Sequence, residues 1–525
     1  MADSSATEKT RRSFEFDDIF EHVSSFGKYQ KILYFCTLLF VFPVTNQFSL
    51  LVFGFGTPKF QCVTPNVTCE ARKCCDGCHA YEFMGPLQST VSEWNLICNR
   101  AFLGATIQSC FFAGMLVGSL VTGMISDAWG RKKCIFICNA IMLITGFASA
   151  FVHSIPLFAV LRFMVGFGLT GVMLSLYIYG MELVGPNSRT AAGNITYFYY
   201  NGFQMLFVLI AYLERDWRNL SLIASVPAAL LFPFWKLIPE SPRWLVAHDQ
   251  LDEAKSIIEA FGSKDEKPLD SEVIRSLLEE VRREQIEREK TAKKYNPIHM
   301  FLTPKLRKWT AIICYEWFVV ALVSFGMFIF ISQLVGDLYI NYVVMEILTI
   351  VRIPVTWILY LKFGRRICHG IIMILVGAIF LVVLLVHKES DVATTVLSLF
   401  GYLLIDCTWT SIYLMTSELF PTVLRNTGQG TGSTSARIGG ILAPYVVLMS
   451  QLPGLSIVFP VVVFGVVATL AGILMYWIPE TLFSPMHQTM EEAEAAEDDY
   501  GIPYCGKRIE LRRRKKANDV EVVWL

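Results

Sequence analysis

The chain has 525 residues, and its 45 basic and 45 acidic side chains cancel. A zero balance gives no general attraction to nucleic acid. Apolar residues make up 54%, charged residues only 17%, and mean hydropathy is +0.48; soluble domains carry about a quarter charged residues, so an ordinary soluble fold is excluded.

Residues 1–29 are polar and read as a cytoplasmic N-terminus. Apolar runs of about 20 residues, enough to cross a hydrocarbon core as helix, then fall near 30–53, 101–124, 134–153, 156–180, 194–213, 219–238, 309–332, 338–361, 367–387, 392–416, 427–449 and 457–478. They predict an all-α membrane protein of twelve transmembrane helices. The first run is too long for a signal peptide and lacks a small-residue cleavage site, so it stays as helix one. A polar insert, 239–308, divides a six-helix bundle at 30–238 from a second at 309–478, and 479–525 is a cytoplasmic tail. With the amino terminus inside, Arg131-Lys132-Lys133, Lys362, Arg365-Arg366, Arg425 and the basic insert all fall on the cytoplasmic side. That is the positive-inside pattern of a multi-pass protein, expected in the plasma membrane.

The loop at 54–100 holds Cys62, Cys69, Cys74, Cys75, Cys78 and Cys98 beside the glycosylation acceptor Asn66-Val67-Thr68. An even cysteine count next to a sequon reads as an oxidised extracellular loop with up to three disulfides; a zinc site of Cys75, Cys78 and His79 is the rival. Glu272–Lys294 in the insert predicts charged surface helices with i,i+4 pairs. The tail is acidic at Glu491–Asp499 and basic at Arg512–Lys516, and Val523-Trp524-Leu525 has the form of a PDZ ligand that adds a strand through its free carboxylate.

The halves repeat. Gly130-Arg131-Lys132 recurs as Gly364-Arg365-Arg366 (364 − 130 = 234), Glu182 with Arg189 as Glu418 with Arg425 (418 − 182 = 236), and Pro239-Glu240-Ser241 as Pro479-Glu480-Thr481 (480 − 240 = 240). Three ordered matches at nearly one offset imply parallel repeats, with a substrate held between the halves near mid-membrane while they rock about it. No Gly-x4-Gly-Lys-Ser/Thr loop, His–Glu metal motif or nucleophile elbow occurs. No enzyme activity, cofactor, metal or nucleic-acid partner is expected; the partners are a small organic ion and the lipid bilayer. Gly166-x-Gly168-x2-Gly171 falls inside a span, where small residues serve close helix packing rather than dinucleotide binding.

Several stretches carry a resemblance: Phe16-Asp17-Asp18-Ile19-Phe20-Glu21-His22-Val23, Gly123-x3-Asp127-x2-Gly130-Arg131-Lys132-Lys133, Pro239-Glu240-Ser241-Pro242-Arg243-Trp244-Leu245, Glu418–Asn426 and Ala436–Pro444. With the six-cysteine loop, the whole chain resembles the organic ion transporters (organic cation, organic anion and carnitine types) of the major facilitator superfamily. It departs where Leu361 and Trp357 replace the acid and first glycine of the second loop motif, and in Glu316 and Glu346. Helix seven lacks the Gln-Leu-Ser signature of sugar porters.

The resemblance implies a secondary transporter working by alternating access. It places Asp127 against the start of helix eleven beside Arg425, and gathers Glu182, Arg189, Glu240 and Arg243 around Arg131 as an inner gate, with Glu418, Arg425 and Glu480 as the second copy. Charges inside the membrane are functional candidates by default. Arg437 and Arg352 lie about 15 and about 21 Å along their helices, with Asp406 at similar depth; Glu316 and Glu346 sit nearer the ends. In the family the position of Arg437 is acidic in cation carriers and arginine in anion and carnitine carriers, and Arg352 also stands where cation carriers place an acid. Two guanidinium groups suit a carboxylate or sulfonate, so the expectation leans to organic anions or carnitine-like zwitterions over cations. Trp409, Tyr413, Tyr177, Tyr197 and Tyr200, with Asn46 and Gln47, are candidate lining residues. A receptor or scaffold that keeps this fold without transport is the alternative from another class.

Overall fold

A backbone crossing lipid must satisfy its own hydrogen bonds, and the chain does so with helices. The computed structural model describes residues 16–64, 74, 78, 80–263, 271–291, 296–452, 455–482, 484, 486–496 and 500. The first half contains α1 (Lys28–Phe53), α2 (Ala101–Trp129), α3 (Arg131–Ser149), α4 (Ile155–Leu183), α5 (Arg189–Leu213) and α6 (Trp217–Ser225, continued in tighter turns to Lys236). The second contains α7 (Pro304–Phe330), α8 (Leu338–Phe363), α9 (Arg365–Val386), α10 (Asp391–Leu419), α11 (Arg425–Leu448) and α12 (Phe459–Leu474).

Ten of these segments are apolar enough to cross a membrane by composition alone. The other two, α5 and α11, are as long but more polar: α5 carries Thr, Asn and Gln, and the first half of α11 Asn, Gln, Thr and Ser. Their position accounts for the polarity. α5 packs on α8 and α11 packs on α2, so both stand at the seam between the halves.

Several helices outrun the apolar stretches that announce them. α2, α4 and α10 continue past Asp127, Glu182 and Glu418, since a helix can leave the hydrocarbon while hydropathy marks only the part inside. Gly130 and Gly364, at φ +107 and +94, stop α2 and α8 and allow α3 and α9 to start at once. α1 is interrupted at Leu39–Phe40, where Phe40 and Phe42 bond three residues back to Thr37 and Leu39. Pro43 cannot donate to the Leu39 carbonyl, and the tighter turn supplies another donor.

The glycines of α4 do what close packing requires. A Cβ on Gly166 would meet the Phe111 carbonyl oxygen of α2 at 2.1 Å, and one on Gly168 the Cys138 carbonyl of α3 at 2.8 Å. Gly114 of α2 answers from the other side, where an added Cβ would lie 1.9 Å from the Phe163 carbonyl oxygen of α4. Three backbones therefore approach without side chains between them.

On one face a short hairpin, β1 (Lys59–Thr64) with β2 (Ala80–Met84), is fastened by disulfides Cys62–Cys78 and Cys74–Cys98. Cys78 is thereby unavailable as a zinc thiolate. Asn66, Cys69, Cys75 and His79 lie outside the described residues. On the opposite face helices Pro242–Ala247, Leu251–Ser263 and Ser271–Thr291 pack on one another, with Arg282 gripping Asp249 at 2.6 Å. We call these the cysteine-loop face and the linker face.

Gly114→Ala is expected to force α2 and α4 apart, costing roughly 1–3 kcal/mol. The melting temperature of purified protein should fall, whereas Gly202→Ala, where a Cβ meets nothing within 4 Å, should leave it unchanged.

Candidate functional site

The halves join on the cysteine-loop side. The Ser49 hydroxyl of α1 bonds the Tyr342 hydroxyl of α8 at 2.9 Å, and Gln204 of α5 donates to the same oxygen at 3.3 Å. Phe53 stacks on Tyr339 at 5.5 Å, and Phe48 packs on Phe328 at 4.9 Å. Ser109 of α2 donates to the Ile441 carbonyl of α11 at 2.7 Å. On the linker side of this plug the seam widens. Tyr177, Tyr197 and Tyr413 are half exposed, although each lies within electrostatic reach of the others across α4, α5 and α10. Their exposure between the two halves marks a recess in the seam.

Two charged pairs of opposite character border the recess. Arg352 of α8 binds Asp406 of α10 through Nε and Oδ2, both buried. Each neutralises the other, and a mutually satisfied buried pair is poorly available to a ligand. Arg352 also floors an apolar groove of about 470 Å³ between α8, α9 and α10 that faces away from the seam. Arg437 of α11 differs. No hydrogen bond or ion pair holds it, its Nε is buried without a partner, and its nearest electrostatic neighbour is the Tyr413 hydroxyl. Glu346 of α8 is likewise without a hydrogen bond or ion pair although only 3% exposed, with Tyr200, Tyr342, Tyr402 and Asp406 around it. A lone guanidinium and a lone carboxylate therefore face one seam.

Of the expected lining residues, Trp409 packs its ring 6.3 Å from Tyr413 and donates to Ser324 Oγ at 3.1 Å, while Tyr413 sits edge-on to Trp317 at 4.4 Å. Tyr177 and Tyr200 reach the recess from α4 and α5. Asn46 does not: it is fully buried, with neither amide atom bonded. Gln47 is committed to Arg162, accepting its Nη1–H at 3.1 Å.

The charges at the linker face depart from the single inner gate expected. Arg131 binds Asp127 at 2.6 Å and Glu182 at 3.3 Å. Asp127 is 74% exposed and does not cap α11; Arg425 turns instead to Thr422 and the Met486 sulfur. The i,i+4 partner on the next helix is simply nearer than the other half. Glu240 accepts the backbone N–H groups of Lys132 and Ser241, both at 3.0 Å, in the space that Gly130 leaves free. Arg189 and Arg243 do not join Arg131 either. Arg189 grips Asp17 of the N-terminal arm with two bonds of 2.8 and 2.7 Å, and Arg243 stands 3.6 Å from the same carboxylate. In the second half Arg365 binds Glu418 at 3.2 Å, and Glu480 accepts the Arg365 and Leu482 N–H groups. The two halves thus repeat one device: arginine at the start of the third helix, glutamate from the end of the fourth, and a second glutamate on the backbone.

Sequence reasoning passed over three groups. Arg162, fully buried in α4, lies over the rings of Phe55 and Phe111; an arginine inside a span was signal enough. Asp17 was in view only as part of a motif. His369, at the start of α9, reads as an ordinary polar end, yet it bonds Glu316. Glu316 itself is twelve residues into α7 because that helix begins early, at Pro304, so it is deep rather than near an end.

A family model described as sugar (and other) transporter matches residues 66–493. The organic cation transporter protein of Drosophila melanogaster is 30% identical across 91% of this chain and 94% of its own length. Organic anion transporter 3 of Oryctolagus cuniculus is 28% identical over 91% and 93%. The chain belongs to the organic ion transporter family. Its fold matches the inward-open xylose transporter of E. coli with a TM-score of 0.63 at 16% identity, covering 89% of this chain and 98% of that one. This organic ion transporter is therefore a multi-pass secondary transporter with the major facilitator fold, and not an enzyme.

Asp17 ties the transporter's N-terminal arm to α5 and to the linker. Burial by itself would raise its carboxyl, but the Arg189 hydrogen bond and the charges of Arg189 and Arg243 together hold it below the usual carboxylate range. A lowered native value means the clasp is complete above the ordinary carboxylate range and fails as pH falls through the lowered one. Protection of the amides of segment 16–23, measured against their intrinsic exchange rate at each pH, should fall at acid pH in wild type, and in Asp17→Asn should already be low at neutral pH.

Proposed function

We propose that this transporter moves small organic anions, and above all carnitine-like zwitterions, across the plasma membrane by alternating access, with both termini and the linker in the cytoplasm. The single observation that carries the reading is the unpaired Arg437 guanidinium beside Tyr413 at the open seam. A buried charge without a partner is costly, and a carboxylate or sulfonate on a bound substrate offsets that cost with two parallel hydrogen bonds.

The relatives' names span both charge signs, so the choice rests on the site. Arg352 is cancelled by Asp406, which leaves Arg437 as the unpaired guanidinium among the described residues at the seam. Glu346 supplies a free acid among Tyr200, Tyr342 and Tyr402, a setting suited to an ammonium head through charge and aromatic faces. A substrate carrying both signs meets both groups. Simple cations are the alternative that Glu346 favours. The Arg131–Glu182 and Arg365–Glu418 clusters act in this reading as the inner gate: closing that side draws their faces together, and the strength of these contacts sets the balance of the two states. Val523-Trp524-Leu525, outside the described residues, is the candidate PDZ ligand.

Arg437→Ala should cut uptake of labelled anions and zwitterions more than about tenfold at matched surface amount, the loss of a charge-assisted contact, with Arg437→Lys intermediate. Glu346→Gln should reduce zwitterion uptake and spare simple anions. Unaltered uptake of every anion and zwitterion by Arg437→Ala would remove that residue from the site.

A further inference from the structure

Within the second half, away from the recess, Glu316 of α7, His369 of α9 and Ser411 of α10 form a fully buried chain. Glu316 Oε2 lies 3.1 Å from His369 Nε2, and His369 Nδ1 lies 2.6 Å from Ser411 Oγ. Ser411 also stands 2.9 Å from the Thr408 carbonyl, which can only accept. The serine proton therefore goes to Thr408, the serine oxygen accepts from Nδ1–H, and the remaining contact, Nε2 to Oε2, must hold a proton of its own. Whether written as imidazolium with carboxylate or imidazole with carboxylic acid, the pair is neutral with that one proton. Removing it leaves a carboxylate against an imidazole lone pair, both side chains fully buried. Adding a second leaves an unbalanced imidazolium. Glu316 Oε1 already has no partner.

The surrounding groups do not supply a substitute charge. Tyr360 of α8 gives its hydroxyl to the Cys407 carbonyl. Arg365, one turn before His369, is held by Glu418, and Glu480 lies on the Arg365 backbone. Tyr315 of α7 donates to the Val467 carbonyl of α12, and Arg437 of α11 faces Tyr413. Cys368 and Cys407 donate to backbone carbonyls. The α12 helix has no ionisable residue.

The internal repeat shows that this pair is not part of the common scaffold. At the offsets of the loop motifs, Cys368 corresponds to Cys134 (368 − 134 = 234) and Ser411 to Ser175 (411 − 175 = 236), but His369 corresponds to Ile135 (369 − 135 = 234). An apolar residue fills that place in one half and an imidazole in the other. A buried ion pair is seldom more stabilising than the apolar packing it replaces, so packing alone does not account for it.

We propose that Glu316 and His369 constitute a proton-binding site, outside the substrate recess, whose occupancy sets the packing of α7 against α9 and α10 and so links transport to pH. The ligand is the proton itself. Purified full-length protein would be melted from about pH 5.5 to about pH 8.5, the range in which imidazole-containing sites titrate. Uptake of a labelled anion or zwitterion would be followed over the same range. One linked proton changes a conformational equilibrium by up to about tenfold per pH unit. Wild type should show a pH-dependent melting temperature and a sloping uptake profile, and Glu316→Gln and His369→Gln should flatten both. Ser411→Ala, which keeps the pair but removes the acceptor of Nδ1–H, should displace the profile along the pH axis. Melting needs no substrate, so this test is separate from the identity of the transported ion. A flat wild-type melting profile, or variants that titrate like wild type, would overturn the proposal.

Discussion

Hydrocarbon offers no partner to a charge or to a backbone amide, and that constraint organises this molecule. Backbone groups meet it by helix formation. Side chains meet it in three ways. Some charges cancel locally, as Arg352 and Asp406 do. One is buffered by aromatic faces and an amide, as Arg162 is by Phe55, Phe111 and Gln47. Two others, Arg437 and Glu346, stand without a hydrogen bond or ion pair among the described residues, at the seam between the halves. An unsatisfied charge inside a membrane protein is in this sense informative: it marks what the protein completes with something it does not itself contain.

Much of the architecture was legible because the bilayer imposes one length on every crossing segment. Twelve apolar runs announce the helices, ten of them apolar enough to cross a membrane by composition alone, and the repeat orders them into two halves. α5 and α11 are the instructive cases, because their threonines, serines and amides blur the membrane signal for the same reason they matter: they face the seam rather than lipid. Helix ends were less legible. Asp127, Glu182 and Glu418 sit on helices that continue beyond the hydrocarbon, where apolarity no longer reports on backbone structure.

The site was legible as a set of residues but not as a set of partnerships. Depth along a helix follows from counting, so Arg437, Arg352 and Asp406 could be placed together. Which arginine is spent on which acid depends on helix rotation, and no local pattern encodes that. Arg189 with Asp17 spans 172 positions and Glu316 with His369 spans 53; neither is visible without the fold. Asn46 is a similar case: its place in α1 follows from counting, but that its side chain is fully buried with neither amide atom bonded depends on the packing around it.

The two halves share a backbone plan and an arginine–glutamate cluster at the linker face, yet divide the chemistry unequally. Away from helix ends, the first-half spans contain one charge, Arg162, while the second half contains Glu316, Glu346, Asp406, Arg352 and Arg437, with His369 one turn into α9. Duplication explains the common scaffold; it does not explain the asymmetry. An internal two-fold places equivalent surfaces against any ligand at the seam, and a symmetric charge pattern would present the same sign from both sides. Concentrating charge in one half removes that constraint. The first half lines the recess with hydroxyls and rings, Tyr177, Tyr197 and Tyr200, and the second borders it with Arg437 and Glu346 beside the mutually neutralised Arg352 and Asp406. In the proposed reading a substrate carrying both signs answers both of those groups at once, where an ion of single sign answers one.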